Sequence, residues 1–160
     1  MGGVLRTLLL VAAVASALPT IMGAQSTSAT SRGEVSIKLG NLLVDDQRYW
    51  EAIRVFDEAR EYAAGEQRVR VASGMLKALL PVAEFTRAQI EAQVLSELAP
   101  DQPEALALIA DALWAGGLFD EAEAVYRDVL ALDPESGNGR HGVAKSLATR
   151  QQYDEALDWL

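Results

Sequence analysis

Four aromatic residues, each followed three positions later by an alanine, recur along this 160-residue chain: Tyr49/Ala52, Phe85/Ala88, Phe119/Ala122 and Tyr153/Ala156. The last three pairs stand 34 residues apart, the first precedes the second by 36, and Pro100 and Pro134 repeat the 34-residue interval. A fixed period of that length marks one supersecondary unit stacked on copies of itself. The chain is therefore expected to fold as a solenoid, each unit burying its apolar face on the next.

Residues 103–136 display the unit best. Pro103 and Glu104 suit a first helical turn, where proline loses no hydrogen bond and a carboxylate faces the positive helix end. Leu106, Ile109, Ala110 and Leu113 then fall at i, i+3, i+4 and i+7, one apolar stripe on a first helix that Gly116-Gly117 stops. Asp120 with Glu123 predicts a capping box for a second helix, whose stripe is Ala122, Val125, Tyr126, Val129 and Leu130; Asp133-Pro134 closes the unit. Thr86 with Gln89 predicts a capping box in the preceding unit. Alanine is expected wherever two helices approach closely, and the recurring aromatics are expected to fill the wedge between layers.

These positions resemble the tetratricopeptide-repeat family. Its pattern of large, small and aromatic residues falls on Leu106, Ile109-Ala110, Leu113, Phe119, Ala122, Tyr126, Val129 and Pro134. The unit before it offers Ala72, Met75, Leu79, Phe85, Ala88, Ala92, Leu95 and Pro100, with Leu76 in a usually small place. The first unit offers Leu39-Gly40, Leu43, Tyr49, Ala52, Phe56 and Ala59, and the last Val143-Ala144, Leu147, Tyr153, Ala156 and Leu160. The resemblance implies an all-α solenoid of antiparallel hairpins: repeats at 34–66, 69–102 and 103–136, and a truncated fourth at 137–160. A full fourth unit would run past Leu160, so the chain reads as the N-terminal part of a longer protein.

Ahead of the repeats, Arg6 is followed by a small, apolar run from Thr7 to Leu18, then Pro19, a short apolar stretch and Gly23-Ala24-Gln25-Ser26. Positive start, apolar middle and small residues at the end describe a secretory signal peptide, residues 1–24, cut between Gly23 and Ser26. The alternative is an uncleaved membrane anchor, for which Leu8–Ala24 sits at the lower edge of a spanning length. Residues 25–33 are small, polar and without periodicity, and are expected to be a flexible linker.

Net charge is −9, and Arg6 is the only charged residue before position 30. So acidic a folded region repels phosphate backbones, and no basic stripe offsets it, which excludes nucleic acid as a partner. With no cysteine and one histidine, His141, the chain has no thiolate site, no disulfide and no histidine-rich metal site. Gly137-x-Gly139-x-x-Gly142 has dinucleotide-fingerprint spacing, but a helix end precedes it where the fingerprint needs a strand; it reads as a loose joint between repeats. Asp45-Asp46 and Asp120-Glu121 read as helix-end solvation, not acid–base pairs. No motif asks for a cofactor, a metal or catalysis within these residues.

In the resembled family the first helix of each hairpin lines a concave face that receives peptide segments. The matching flanks give Ile37, Asn41 and Val44; Ser73, Lys77 and Leu80; Ala107, Asp111 and Trp114; His141, Lys145 and Ala148. Asn41, Lys77, Asp111 and Lys145 form a polar ladder beside an apolar strip of Val44, Leu80 and Trp114, with Trp114 as the leading hot-spot residue. The expectation is a non-catalytic interaction scaffold, exported to the envelope or beyond, holding a protein or peptide partner. Its alternative is a repeat appendage of a larger secreted enzyme whose catalytic domain follows residue 160.

Overall fold

The computed structural model describes residues 18–160, with side-chain surroundings from Thr30 onward. Most of the expected signal segment, residues 1–17, lies outside the described residues. Eight helices follow: α1 (Leu18–Asp45), α2 (Tyr49–Arg60), α3 (Glu66–Leu79), α4 (Phe85–Leu98), α5 (Pro103–Ala115), α6 (Phe119–Leu132), α7 (Gly137–Thr149) and α8 (Tyr153–Leu157). They pair as antiparallel hairpins, α1 with α2 through α7 with α8. Each first helix also packs on the hairpin before it, so the apolar stripes close against neighbours in series. Among the described residues there is no strand, and no helix is long and apolar enough to cross a membrane.

Residues 25–33 are not a linker. They are helical and continuous with the first repeat inside α1. From residue 30 the helix is tied down: the Gln67 amide nitrogen donates to the Thr30 carbonyl at 3.0 Å, and the Arg32 guanidinium lies 5.9 Å from the Tyr62 ring centre. A helix already anchored by packing extends at little cost even through serine and threonine, because nucleation is the expensive step.

One turn is built four times. Gln47, Ala83, Gly117 and Gln151 hold φ of 60°, 60°, 84° and 63°, each just past the first helix of its hairpin. In every case the next residue's N–H reaches back five positions: Arg48 to Leu43, Glu84 to Leu79, Leu118 to Leu113 and Gln152 to Leu147. This is a Schellman motif, and its left-handed residue is glycine only in the third repeat. A side chain there carries a cost near 1 kcal/mol that glycine avoids. Ala83→Gly should therefore raise stability by about 0.5–1 kcal/mol, read as a higher urea midpoint at unchanged slope; a lower midpoint would show that the turn is not strained.

The capping boxes do not form. Helices α4 and α6 begin two residues earlier than the capping boxes would have it, at Phe85 and Phe119, after Glu84 and Leu118, which make no side-chain cap. Asp120 instead accepts from Arg150 at 2.5 Å, and Glu123 accepts from Arg127 and Arg150. Pro103 does open α5, and Ser136 Oγ caps α7 by accepting from the Gly139 N–H at 3.3 Å.

The recurring alanines mark the closest approaches: Ala52, Ala88 and Ala122 are fully buried. Phe56, also fully buried, is clasped between two glycines. A Cβ on Gly40 would stand 2.6 Å from its ring, and one on Gly74, across the repeat boundary, closer still. Gly142 presses on Tyr126 in the same way, so Gly139 and Gly142 are helix-packing residues inside α7, not a loose joint. The second repeat carries Ala92 where the first and third carry Phe56 and Tyr126. Leu76 and Leu108 take the places held by Gly40 and Gly74 around Phe56, and all three residues join one core cluster. The volume missing from one helix is returned by its neighbours. Of the recurring aromatics, Phe85 and Tyr153 are exposed instead of wedged.

Candidate functional site

The first helices α1, α3, α5 and α7 line the concave side, where a groove of about 580 Å³ opens. Its walls bring together Asn41 from α1, Arg70, Ser73 and Lys77 from α3, Glu104, Ala107 and Asp111 from α5, and Asn138 from α7. The groove is polar because these positions face away from the stripes that stack the hairpins. Arg70 is held by Glu34 through hydrogen bonds of 2.7 and 3.1 Å. Lys77 is exposed and takes part in none of the ion pairs among the described residues. It is the cation this surface leaves available.

At the far end of the groove the rungs lock together. Asp111 Oδ1 accepts from Tyr126 Oη at 2.5 Å and from Lys145 Nζ at 2.9 Å, joining α5, α6 and α7. The Lys145 ammonium also stands 4.4 Å from the Trp114 ring centre and 5.3 Å from that of Tyr126, within cation–π range of both. Burial first, and then the hydrogen bond to Asp111, push the Tyr126 phenol well above its ordinary 10.0. A phenol that keeps its proton more tightly folded than unfolded contributes stability fully present below pH 10, and this contribution is lost progressively as pH rises beyond it. Above pH 10, then, Tyr126→Phe should lose stability less steeply than the native chain, as followed by thermal melts across an alkaline series. Equal slopes would mean that the phenol does not control alkaline unfolding.

The seven residues singled out in sequence separate by place. Asn41, Lys77 and Asp111 share the groove, while Lys145 reaches Asp111 from α7 and otherwise lines a neighbouring cup with His141, Ala148 and Leu157. Val44 and Leu80 are half-buried against the core cluster and do not line the groove. Trp114 is half-buried too, with its edge-to-face partner Phe119 at 5.6 Å, Lys145 over its ring, and its Nε1 buried without a hydrogen-bond partner among the described residues. Ile37, expected on the flank, is fully buried core. Sequence reasoning passed over Arg70, Glu104 and Asn138. Their signal was present, since Arg70 and Glu104 sit one turn before Ser73 and Ala107 on the same flank. Among the described residues no group of His, Cys, Asp and Glu is arranged to hold a metal ion.

The family described as Tetratricopeptide repeat has a sequence model that matches residues 82–137 and 108–160. Among solved structures, MamA (residues 41 to its end) from Desulfovibrio magneticus RS-1 is similar at a TM-score of 0.69 and 16% identity, covering 79% of this chain and 71% of that one. The first TPR domain of human RPAP3 is similar at 0.68 and 18%, covering 77% and 95%. The second, solved in complex with the HSP70 peptide SGPTIEEVD, stands at 0.67 and 17%, covering 74% and 97%. At these identities the likeness is one of fold. No curated protein matches the chain.

Proposed function

Since the chain belongs to the tetratricopeptide-repeat family, we propose that it is a non-catalytic scaffold whose concave groove holds an extended segment of another protein. The observation that carries this reading is the convergence of side chains from four successive first helices on one 580 Å³ groove, with hydrogen-bonding groups pointing outward and one cation unpaired. Asn41, Ser73 and Asn138 can each donate to and accept from a peptide backbone, and Lys77 supplies charge. A relative of the same fold has been solved with a nine-residue peptide, which supports a peptide as the kind of ligand such a surface takes.

A random peptide library panned on the protein tests this. Enriched peptides should bind the Lys77→Glu variant at least tenfold more weakly, about 1.4 kcal/mol, and Glu97→Lys on the exposed surface of α4 unchanged. Enriched peptides indifferent to Lys77→Glu would place binding elsewhere.

We also propose that the protein is exported, on the strength of Arg6, the apolar run after it and the small residues at Gly23–Ser26. Residues 1–30 fused to a reporter active only outside the cytoplasm should activate it; a silent reporter would refute export.

A further inference from the structure

Two positions of the first helices recur across the groove and form two rows, with one residue from each repeat. The first row is Glu34, Arg70, Glu104 and Asn138; the second, seven residues further along each helix, is Asn41, Lys77, Asp111 and Lys145. Each row holds three charges, so pairing within a row leaves one over. In the first, Arg70 holds Glu34 at 2.7 Å and Glu104 remains. In the second, Lys145 holds Asp111 at 2.9 Å and Lys77 remains. Both remaining residues are exposed on the groove wall, and neither takes part in an ion pair among the described residues. The excess survives any exchange of partners: were Arg70 to turn to Glu104, Glu34 would carry the negative charge instead. The first row therefore nets −1 and the second +1.

We propose that the groove selects a partner segment carrying one acidic and one basic side chain four residues apart, the acid against Lys77 and the base against Glu104. This rests on the peptide reading of the groove and adds which peptide it takes. The spacing follows from helix geometry. Seven residues of helix separate the rows by about 10 Å, and neighbouring packed helices stand about 9 Å apart, so the backbones at Lys77 and Glu104 are about 14 Å apart on the diagonal. An extended chain covers that distance in four residues at about 3.3 Å each, and residues four apart point to the same side. Both charges then face the groove at once, with the residue midway between them over the small side of the wall at Gly74 and Ala107.

Charge also decides what the groove turns away. A run of acidic residues would satisfy Lys77 and then meet the first row, on a chain already at net −9. A run of basic residues, which that net charge draws in, meets Lys77 and Lys145 in the second row. Like charges set together across an interface cost affinity, so the mixed segment is favoured by exclusion as well as by attraction. Glu104 also sits in the first turn of α5, where a carboxylate suits the positive helix end. That role acts on folding stability alone, and binding measurements separate the two.

Peptides enriched by panning a random library on the full chain should share an acidic and a basic residue at i and i+4, in one fixed order. A synthetic copy of the most enriched peptide is the probe, its binding followed by fluorescence anisotropy. Glu104→Lys should weaken binding at least tenfold while helical circular dichroism is unchanged. Changing the peptide's basic residue to glutamate should weaken its binding to the native chain at least tenfold, and Glu104→Lys should then recover most of that loss. Lys77→Glu, paired with a peptide whose acid is changed to lysine, should behave alike. Peptides that need Lys77 but are indifferent to Glu104→Lys overturn this inference and leave a groove that binds through Lys77 alone. So does a consensus without the four-residue spacing. Indifference to both substitutions overturns the peptide reading of the groove as well.

Discussion

Phe56→Ala should be the most damaging single truncation in the first half of the molecule, about 3–5 kcal/mol. The ring is fully buried and crosses the boundary between the first and second repeats, where Gly40 and Gly74 flank it. Neither neighbour has a side chain that could turn into the space, and both glycines sit inside packed helices, so the cavity stays open. Equilibrium unfolding in urea with the slope held in common measures the loss. A loss under 1 kcal/mol would mean that the helices collapse onto the gap, and the clasp would then not be what fixes their spacing.

The second large effect concerns a sign. Gly→Ala in a helix interior ordinarily stabilises by roughly 0.5–1 kcal/mol. At Gly142 it should destabilise by about 1–3 kcal/mol, because the new methyl would overlap the Tyr126 ring, itself held by Asp111 and unable to swing aside. Pairing Gly142→Ala with Tyr126→Leu should recover part of that loss, since the branched chain leaves room where the ring edge stood. The coupling energy of the four-variant cycle is the readout. Stabilisation of the native background by Gly142→Ala would show that the contact is not tight.

What the sequence made legible was periodic. The 34-residue interval, the stripes of Ile109 and Val125 and the proline at the start of α5 are repeated or one-dimensional signals, and the hairpins follow from them. Features set by three-dimensional approach were harder to read. Gly74 and Gly142 look like breakers until the ring each one faces is known. The Schellman turns hid because Gln47, Ala83 and Gln151 carry no compositional mark of a left-handed residue, although their spacing repeats with the period. In the groove, Asn41, Lys77 and Asp111 were legible from helical phase alone. Trp114 was not, because whether an off-stripe aromatic is open or covered depends on Lys145 and Phe119, one from the next repeat and one from the next helix.

The exchange of volume around Ala92 bears on how such an array avoids assembling out of order. Units of similar sequence invite slippage during folding, with one repeat docking where another belongs or swapping into a neighbouring molecule. Sliding α4 against α7 would set Ala92 opposite Gly142 and leave a void; sliding α6 against α5 would drive Tyr126 into Leu108. Each mismatch costs what a core cavity or an overpacked core costs, on the order of 1–5 kcal/mol. The small and large residues at these three interfaces thus act as a lock-and-ward set, admitting each repeat only beside its proper neighbours.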